Sequence, residues 1–179
     1  MIPIEKKLTI SYQYCRDVSK MHAKTFYFAS RFLPPEKRNA CYSIYAFCRY
    51  IDDLVDKNIF RSLNSEESLQ KLAEAVEEWR RQLKALYKGE YIDHPIMIAL
   101  KDTISKFGIP ENLPNELIDG VNMDITKTRY ENFEDLKIYC YKVASVVGLM
   151  TTHVFGFRND EAFGYAVDLG IAMQMTNIL

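Results

Sequence analysis

The amino-acid sequence predicts an all-α protein. Its apolar residues recur over long stretches with the 3.6-residue period of an α-helix, and the 179 residues include only 7 Gly and 6 Pro. Apolar residues make up 48% of the chain, which is enough to build a helical core. Since the length is that of one domain, we expect a single helical domain over residues 1–179.

Several predicted helix ends coincide with residues that interrupt helices. Pro34-Pro35 ends the second helix and begins the third, because proline lacks the amide hydrogen that a helix interior needs. Gly89, Pro95 and Gly108-Ile109-Pro110 separate the helices in the middle of the chain. The predicted helices span residues 5–20, 21–33, 35–57, 65–88, 95–107, 113–126, 132–157 and 160–179.

Composition excludes several classes of protein. The net charge of −1 gives no basic surface for nucleic acid. The four cysteines form no C-x-x-C pair and have apolar neighbours, which is typical of reduced core residues in a cytoplasmic protein. The sequence shows neither a signal peptide nor an 18-residue apolar run, so no membrane span is predicted. Peripheral contact with a membrane stays open, and nothing indicates the oligomeric state.

The third predicted helix carries an acidic edge. Tyr45, Arg49, Asp52 and Asp56 fall within an arc of about 60°, with Asp53 at its margin. Most other directions of this helix are apolar: Ile44, Phe47, Cys48, Ile51, Leu54 and Val55. A helix with this pattern packs among other helices, so we expect its carboxylates to point into a cleft.

Three clustered carboxylates in a cleft need a compensating charge. A hard divalent cation with oxygen ligands supplies it, and Mg²⁺ shared with a diphosphate is the commonest form. Asp52, Asp53 and Asp56 are therefore the predicted metal ligands, and Arg49 can orient one carboxylate while reaching a phosphate oxygen. The alternative is an acidic surface patch neutralised by Arg49 and nearby lysines.

Four further stretches combine polar and small residues in patterns that favour a site. Each also has a purely structural explanation: a frayed helix end for 119–124, plain core for 139–150, tight helix packing for 166–177, and an incidental capping residue for His22. The segment 119–124 places two aspartates before Arg129-Tyr130. The segment 139–150 has Tyr139, Val143, Val146 and Met150 on one face, beside the small residues Ala144, Ser145 and Gly148. The segment 166–177 has Ala166, Gly170, Met173 and Asn177 on one face, with Gln174 at its edge. The segment 22–28 opens a helix with His22, Lys24 and Thr25, where backbone amides attract anions.

In this order the motifs resemble the squalene/phytoene synthase family, the head-to-head prenyl synthases, over nearly the whole chain. The matching stretches are His22-Ala23-Lys24-Thr25-Phe26, Leu33-Pro34-Pro35-Glu36, Tyr45-Ala46-Phe47-Cys48-Arg49, Asp52-Asp53-Leu54-Val55-Asp56, Asp119-Gly120-Val121-Asn122-Met123-Asp124, Arg129-Tyr130, Tyr139-Cys140-Tyr141, Val143-Ala144-Ser145-Val146-Val147-Gly148, Leu169-Gly170 through Gln174, and Asn177-Ile178-Leu179.

The resemblance implies an isoprenoid-synthase-type helical bundle around a central cavity. It implies that Asp52, Asp53 and Asp56 bind Mg²⁺ against the diphosphate of a prenyl donor. The residues implied around the diphosphates are Tyr45, Arg49, His22, Lys24 and Thr25. Those implied to line the cavity or its mouth are Tyr139, Val143, Val147, Gly148, Ala166, Gly170, Gln174 and Asn177. The rings of Phe26 and Tyr139 are the aromatic faces that can stabilise a carbocation.

The implied chemistry joins two prenyl diphosphates at C1 through a cyclopropyl intermediate. Ala29 and Ser30 are small and lie one turn after Phe26. If they face the tunnel for the prenyl tail, they leave room for a C20 chain, which favours phytoene over the C15-derived products squalene and dehydrosqualene. The resemblance implies NADPH as a cofactor only if the product is of the squalene type.

The chain departs from the family where it ends. After the counterpart of Asn177-Ile178-Leu179 the family continues into Arg-Asp and a second aspartate pair. We therefore expect a bundle that is C-terminally incomplete, with weak Mg²⁺–diphosphate binding and impaired turnover. One alternative is a non-catalytic helical relative that serves as an assembly or interaction module. Another is a head-to-tail prenyl synthase or a cyclase, which the segment 143–148 disfavours.

Overall fold

The computed structural model describes residues 3–62, 66–127 and 129–178. The regular secondary structure of these residues is helical. No strand occurs in these ranges, so the predicted all-α class is confirmed. Side chains at positions 56–62, 66, 68, 69 and 126 lie outside this description. The predicted metal ligand Asp56 is one of them, and its place in the site stays a prediction.

The helices follow the order that the periodicity predicted. They are α1 (Ile4–His22), α2 (Lys24–Ser30), α3 (Pro35–Ser62), α4 (Glu66–Tyr87), α5 (Pro95–Phe107), α6 (Asn112–Thr126), α7 (Phe133–Cys140), a π-helical turn (Tyr141–Ser145), α8 (Val146–Phe155) and α9 (Glu161–Ile178). The second helix ends at Ser30 rather than at residue 33, because a residue that precedes proline, here Leu33, avoids the helical conformation.

The predicted helix 132–157 is divided by the π-helical turn. A π-turn adds a residue to the helical repeat and so rotates every later side chain relative to an unbroken α-helix. The predicted common face of Tyr139, Val143, Val146 and Met150 is therefore not one straight stripe. Val146 and Met150 are buried in the core, whereas Tyr139 and Val143 are half-buried.

Helix α3 lies at the centre of the bundle. It contacts α1, α2, α4, α5, α6 and α8, which surround most of its circumference. Its buried side chains are Ala40, Cys41, Tyr42, Ser43, Ile44, Ala46, Phe47, Ile51 and Val55. The near-continuous apolar pattern of this helix follows from that position, because only one edge is left for polar side chains.

The stretch Phe133–Phe155 is long and apolar enough, by length and composition alone, to cross a membrane. The lack of an uninterrupted 18-residue apolar run predicts no membrane span. Core helices of soluble proteins pass the same test, and Cys140, Val146 and Met150 of this stretch are buried against the bundle.

Candidate functional site

Arg49 joins two of the predicted carboxylates on the acidic edge of α3. Its Nη1 lies 3.4 Å from Asp52 Oδ2, and its Nη2 forms an ion pair with Asp53 Oδ1. This follows from spacing, because residues three and four positions apart are neighbours on a helix surface. The side chain of Asp53 is 16% exposed and that of Asp52 is 45% exposed, so the residue at the margin of the predicted arc is the more buried one.

A hollow of about 360 Å³ lies beside this edge, between α1, α3 and α5. It is lined by Tyr14, Asp17, Val18, Met21, His22, Ala46, Arg49, Tyr50, Asp53 and Ile96. Three predicted site residues, His22, Arg49 and Asp53, meet there. The Nε of Arg49 is buried and has no hydrogen-bond partner among the described residues, so a donor remains for a ligand oxygen.

A second group of polar side chains surrounds Tyr139. The Tyr139 hydroxyl lies near the Asp124 carboxylate at the end of α6, and the two groups interact electrostatically. Burial raises the pKa of Tyr139, and the charges of Asp124 and Asp52 raise it further. Helices α3, α6 and α7 therefore bring two carboxylates and a phenol to one place.

Tyr130 belongs to the same group. Its ring lies 5.2 Å from that of Tyr139, centroid to centroid, at an angle of 33°. Burial raises the pKa of Tyr130 to about 12, and the charge of Asp124 contributes. The Tyr130 hydroxyl is buried without a hydrogen-bond partner among the described residues.

Asp124 and Tyr130 were not among the predicted site residues, although both stand in stretches that the sequence singled out. The signal was ambiguous because the segment 119–124 holds two aspartates. Residues five apart point in directions about 140° apart on a helix. Asp119 accordingly faces away from Tyr139 and pairs with Arg80, at 2.7 Å from Nη2 to Oδ1, and with Lys142.

The residues predicted around the diphosphates lie near the junction of α1 and α2. His22 ends α1, so the prediction that it lies in the first turn of a helix is wrong, whereas Lys24 and Thr25 do begin α2. All three side chains are exposed. Phe26 stacks on Tyr45 at 5.4 Å between ring centroids, with 27° between the planes. Burial raises the pKa of Tyr45, whereas the charge of Arg49 acts in the opposite direction.

The small residues predicted to line a cavity lie in helix–helix contacts. A Cβ at Gly148 would be 3.1 Å from the carbonyl oxygen of Ala166, and a Cβ at Gly170 would collide with Ser145. Val143 lies beside Gly120 of α6. Val147 is half-buried against the core, Gln174 is half-buried and Asn177 is exposed. Their role as a cavity wall stays a prediction.

The family model for squalene/phytoene synthase matches residues 19–179. The chain belongs to this family.

Named relatives agree with the squalene/phytoene synthase assignment. A phytoene synthase from Arthrospira platensis is 36% identical over 182 residues, covering 94% of this chain and 56% of the relative. Phytoene synthase 2 from Oryza sativa subsp. japonica is 38% identical, covering 94% of this chain and 42% of the relative. The chain thus spans about half the length of the curated relatives it matches.

Solved structures give the same assignment. A dehydrosqualene synthase in complex with a ligand has a TM-score of 0.82 and 31% identity, covering 98% of this chain and 58% of that one. The squalene synthase HpnC from Alicyclobacillus acidocaldarius has a TM-score of 0.81 and 29% identity, covering 98% of this chain and 62% of that one.

The donor set of this family member fits Mg²⁺. Asp53, which lines the hollow, and Asp52, which Arg49 joins to it, offer hard carboxylate oxygens. The described side chains contain no cluster of three His, Cys, Asp or Glu that could hold a metal by itself. Mg²⁺ is commonly bound through one or two carboxylates together with substrate phosphates, so two aspartates suffice when a diphosphate is present.

Proposed function

We propose that this chain carries a diphosphate-binding side of an enzyme that joins two prenyl diphosphates head to head, with Mg²⁺ as cofactor. The proposal rests on one observation: Arg49 lines a hollow and contacts both Asp52 and Asp53. The guanidinium fork can hold carboxylates and phosphate oxygens in one plane, and its buried Nε remains available to an acceptor.

In the proposed reaction, negative charge develops on the departing diphosphate. Arg49, with His22 and Lys24 at the α1–α2 junction, supplies donors on the side where that charge appears. Mg²⁺, when bound by the aspartates, would neutralise part of the diphosphate charge.

The carbocation left behind needs a dry aromatic wall, because water would quench it. We assign this role to two ring pairs. Phe26 stacks on Tyr45, and Tyr130 lies against Tyr139. Aromatic faces stabilise positive charge without offering a nucleophile, which supports their assignment to this role.

We propose C20 substrates, a cyclopropyl intermediate and a phytoene-type product. The named curated relatives are phytoene synthases, and the small residues Ala29 and Ser30 follow Phe26 at the end of α2. Ser30 is buried and donates its hydroxyl to the Phe26 carbonyl at 2.6 Å, so it adds no bulk beyond the helix. NADPH has no part in forming such a product. An apolar product favours a cytoplasmic protein in peripheral contact with a membrane.

Thermal stability tests the proposal without requiring turnover. Geranylgeranyl thiodiphosphate, a non-hydrolysable C20 analogue, is expected to raise the Tm of the chain in Mg²⁺ and not in EDTA. Asp52→Asn is expected to abolish this response. Asp168→Asn, at an exposed position of α9, is the matched control and should keep it. The C15 analogue should give the smaller shift.

Two outcomes contradict the proposal. A shift that survives both EDTA and Asp52→Asn would show that no metal-bridged diphosphate is bound at this edge. The absence of any shift with either analogue would favour the non-catalytic assembly role.

A further inference from the structure

A basic cleft of about 450 Å³ lies at the junction of α1, α2 and α3, away from the acidic edge. It is lined by Leu8, Thr9, Tyr12, Gln13, Arg16, Tyr27, Arg31, Arg38, Asn39 and Tyr42. None of these residues lines the hollow beside Arg49, because the two cavities use different faces of α1 and different ends of α3. The basic cleft has no role in the function proposed above.

Each of the three helices gives this cleft one tyrosine and one arginine, four positions apart. The pairs are Tyr12 and Arg16 on α1, Tyr27 and Arg31 at the end of α2, and Arg38 and Tyr42 on α3. Tyr27 and Tyr42 stack at 5.7 Å between centroids, with 23° between their planes. The three arginines lie close enough to the Tyr42 hydroxyl for each to counteract the rise in pKa that burial causes.

The positive charge in the basic cleft is only partly compensated, although the lining residue Tyr12 donates to Asp102 at 2.6 Å. Its lining contains three arginines and no carboxylate, in a chain whose net charge is −1. Arg16 pairs with Asp17, at 3.2 Å from Nη2 to Oδ1. Among the described residues, neither the guanidinium of Arg31 nor that of Arg38 forms an ion pair, and Arg38 donates only to the Arg31 carbonyl at 3.5 Å. Like charges gathered in this way repel one another unless an anion lies between them.

The geometry points to a second anion site in this cleft, which binds a phosphate-bearing group without a metal ion. Guanidinium groups suit phosphate, because each offers parallel N–H donors that match two phosphate oxygens. Gln13, Asn39 and Thr9 add neutral polar groups around the same space. The absence of carboxylates from the lining leaves no ligands for a cation, which separates this site from the acidic edge of α3.

Two sources supply such a group: a soluble diphosphate and the headgroup of an anionic lipid. Phe28 and Phe32, on either side of Arg31, are 61% and 80% exposed and contact each other edge to face at 5.7 Å. Exposed aromatic rings beside arginines are typical of segments that lie at a membrane interface. This pair therefore favours the lipid headgroup.

The test has two arms, both in EDTA so that metal-dependent binding is excluded. In the first arm, inorganic pyrophosphate is titrated into the chain and heat is recorded. In the second arm, the chain is sedimented with phosphatidylcholine vesicles that contain or lack phosphatidylglycerol. Arg31→Gln and Arg38→Gln are each expected to weaken binding about tenfold in the arm that responds. Phe28→Ser with Phe32→Ser should reduce vesicle binding only.

The controls separate this site from general charge and from misfolding. Arg158→Gln removes one exposed positive charge elsewhere and should leave binding unchanged. Arg38→Lys keeps the charge but loses the planar fork, and should fall between the wild type and Arg38→Gln. Asp52→Asn should not affect either arm, so failure here and failure of the proposed function are distinguishable. The inference is overturned if the wild type binds neither probe, or if the Arg31 and Arg38 variants bind as the wild type does.

Discussion

Gly170 of α9 lies against the backbone of Ser145 in the π-helical turn, with no space for a side chain between them. A Cβ at position 170 would be 2.6 Å from the Ser145 amide nitrogen and 2.7 Å from its Oγ. Ser145 Oγ in turn donates to the Val167 carbonyl at 2.7 Å. Helix α9 is thus joined to the π-helical turn by a close approach and a hydrogen bond at the same point.

Gly170→Ala should destabilise the chain by about 2 kcal/mol, because the added methyl collides with backbone that cannot rotate away. Urea unfolding followed by circular dichroism measures the change. Gly164→Ala is the matched control in the same helix, since a Cβ there meets nothing within 4 Å. It should stabilise the chain by about 0.5–1 kcal/mol through helix propensity. Equal effects of the two substitutions would contradict the close contact.

Arg49→Lys should weaken both the fold and the proposed site. A guanidinium reaches Asp52 and Asp53 at once, whereas an ammonium is a single point charge. Because the pair is partly exposed, we expect a loss of only about 1 kcal/mol in the free energy of unfolding. Binding of geranylgeranyl thiodiphosphate in Mg²⁺, followed by titration calorimetry, should weaken about tenfold.

The control for this substitution is Arg81→Lys. Arg81 pairs with Glu78 at 2.6 Å, but both side chains are largely exposed on α4. Arg81→Lys should change the free energy of unfolding by no more than about 0.5 kcal/mol and leave binding of geranylgeranyl thiodiphosphate unaltered. If Arg49→Lys behaved in the same way, the bridging role of Arg49 would be wrong.

Tyr139→Phe should destabilise the chain, whereas Tyr130→Phe should not. The Tyr139 hydroxyl interacts with the Asp124 carboxylate, so its removal should cost about 1 kcal/mol. The Tyr130 hydroxyl is buried with no hydrogen-bond partner among the described residues, so its removal should be neutral or stabilising. Urea midpoints of the two variants distinguish them, and a destabilised Tyr130→Phe would reveal a partner for that hydroxyl.

Most of the helices could be predicted from the sequence because their apolar periods are long and several of their ends carry Pro or Gly. The central position of α3 was also predictable, since Ile44, Phe47, Ile51 and Val55 leave a single polar edge. The ion pairs of Arg49 with Asp52 and Asp53 are local and follow from helical spacing alone.

Other features depend on which helix lies next to which, and local patterns do not encode that. Asp53 is more buried than Asp52 because it faces α1 and α5 across the hollow. The choice of Asp124 rather than Asp119 as the partner of Tyr139 is decided by the packing of α6 on the π-helical turn and on α4. The π-helical turn inserts a residue where the sequence continues an ordinary helical pattern.

His94 should make the stability of the chain depend on pH near neutrality. Its ring lies edge to face against Trp79 at 5.0 Å and Tyr50 at 5.6 Å between centroids. Burial lowers the pKa of His94, and its Nδ1 has no hydrogen-bond partner among the described residues. Burial lowers the pKa of His153 as well.

Since the folded chain binds these protons less readily than the unfolded chain, stability is complete above the ordinary histidine pKa of about 6.5. It should decline as the pH falls through that value, until the lower pKa of the folded state is reached. Urea unfolding at pH 7.5, 6.5 and 5.5 measures how the free energy of unfolding depends on pH. The lowest of these pH values is about one unit above the ordinary carboxylate pKa values. His94→Gln should reduce the slope, and His94→Gln with His153→Gln should nearly remove it. A slope that is unchanged in the double variant would place the titrating group elsewhere.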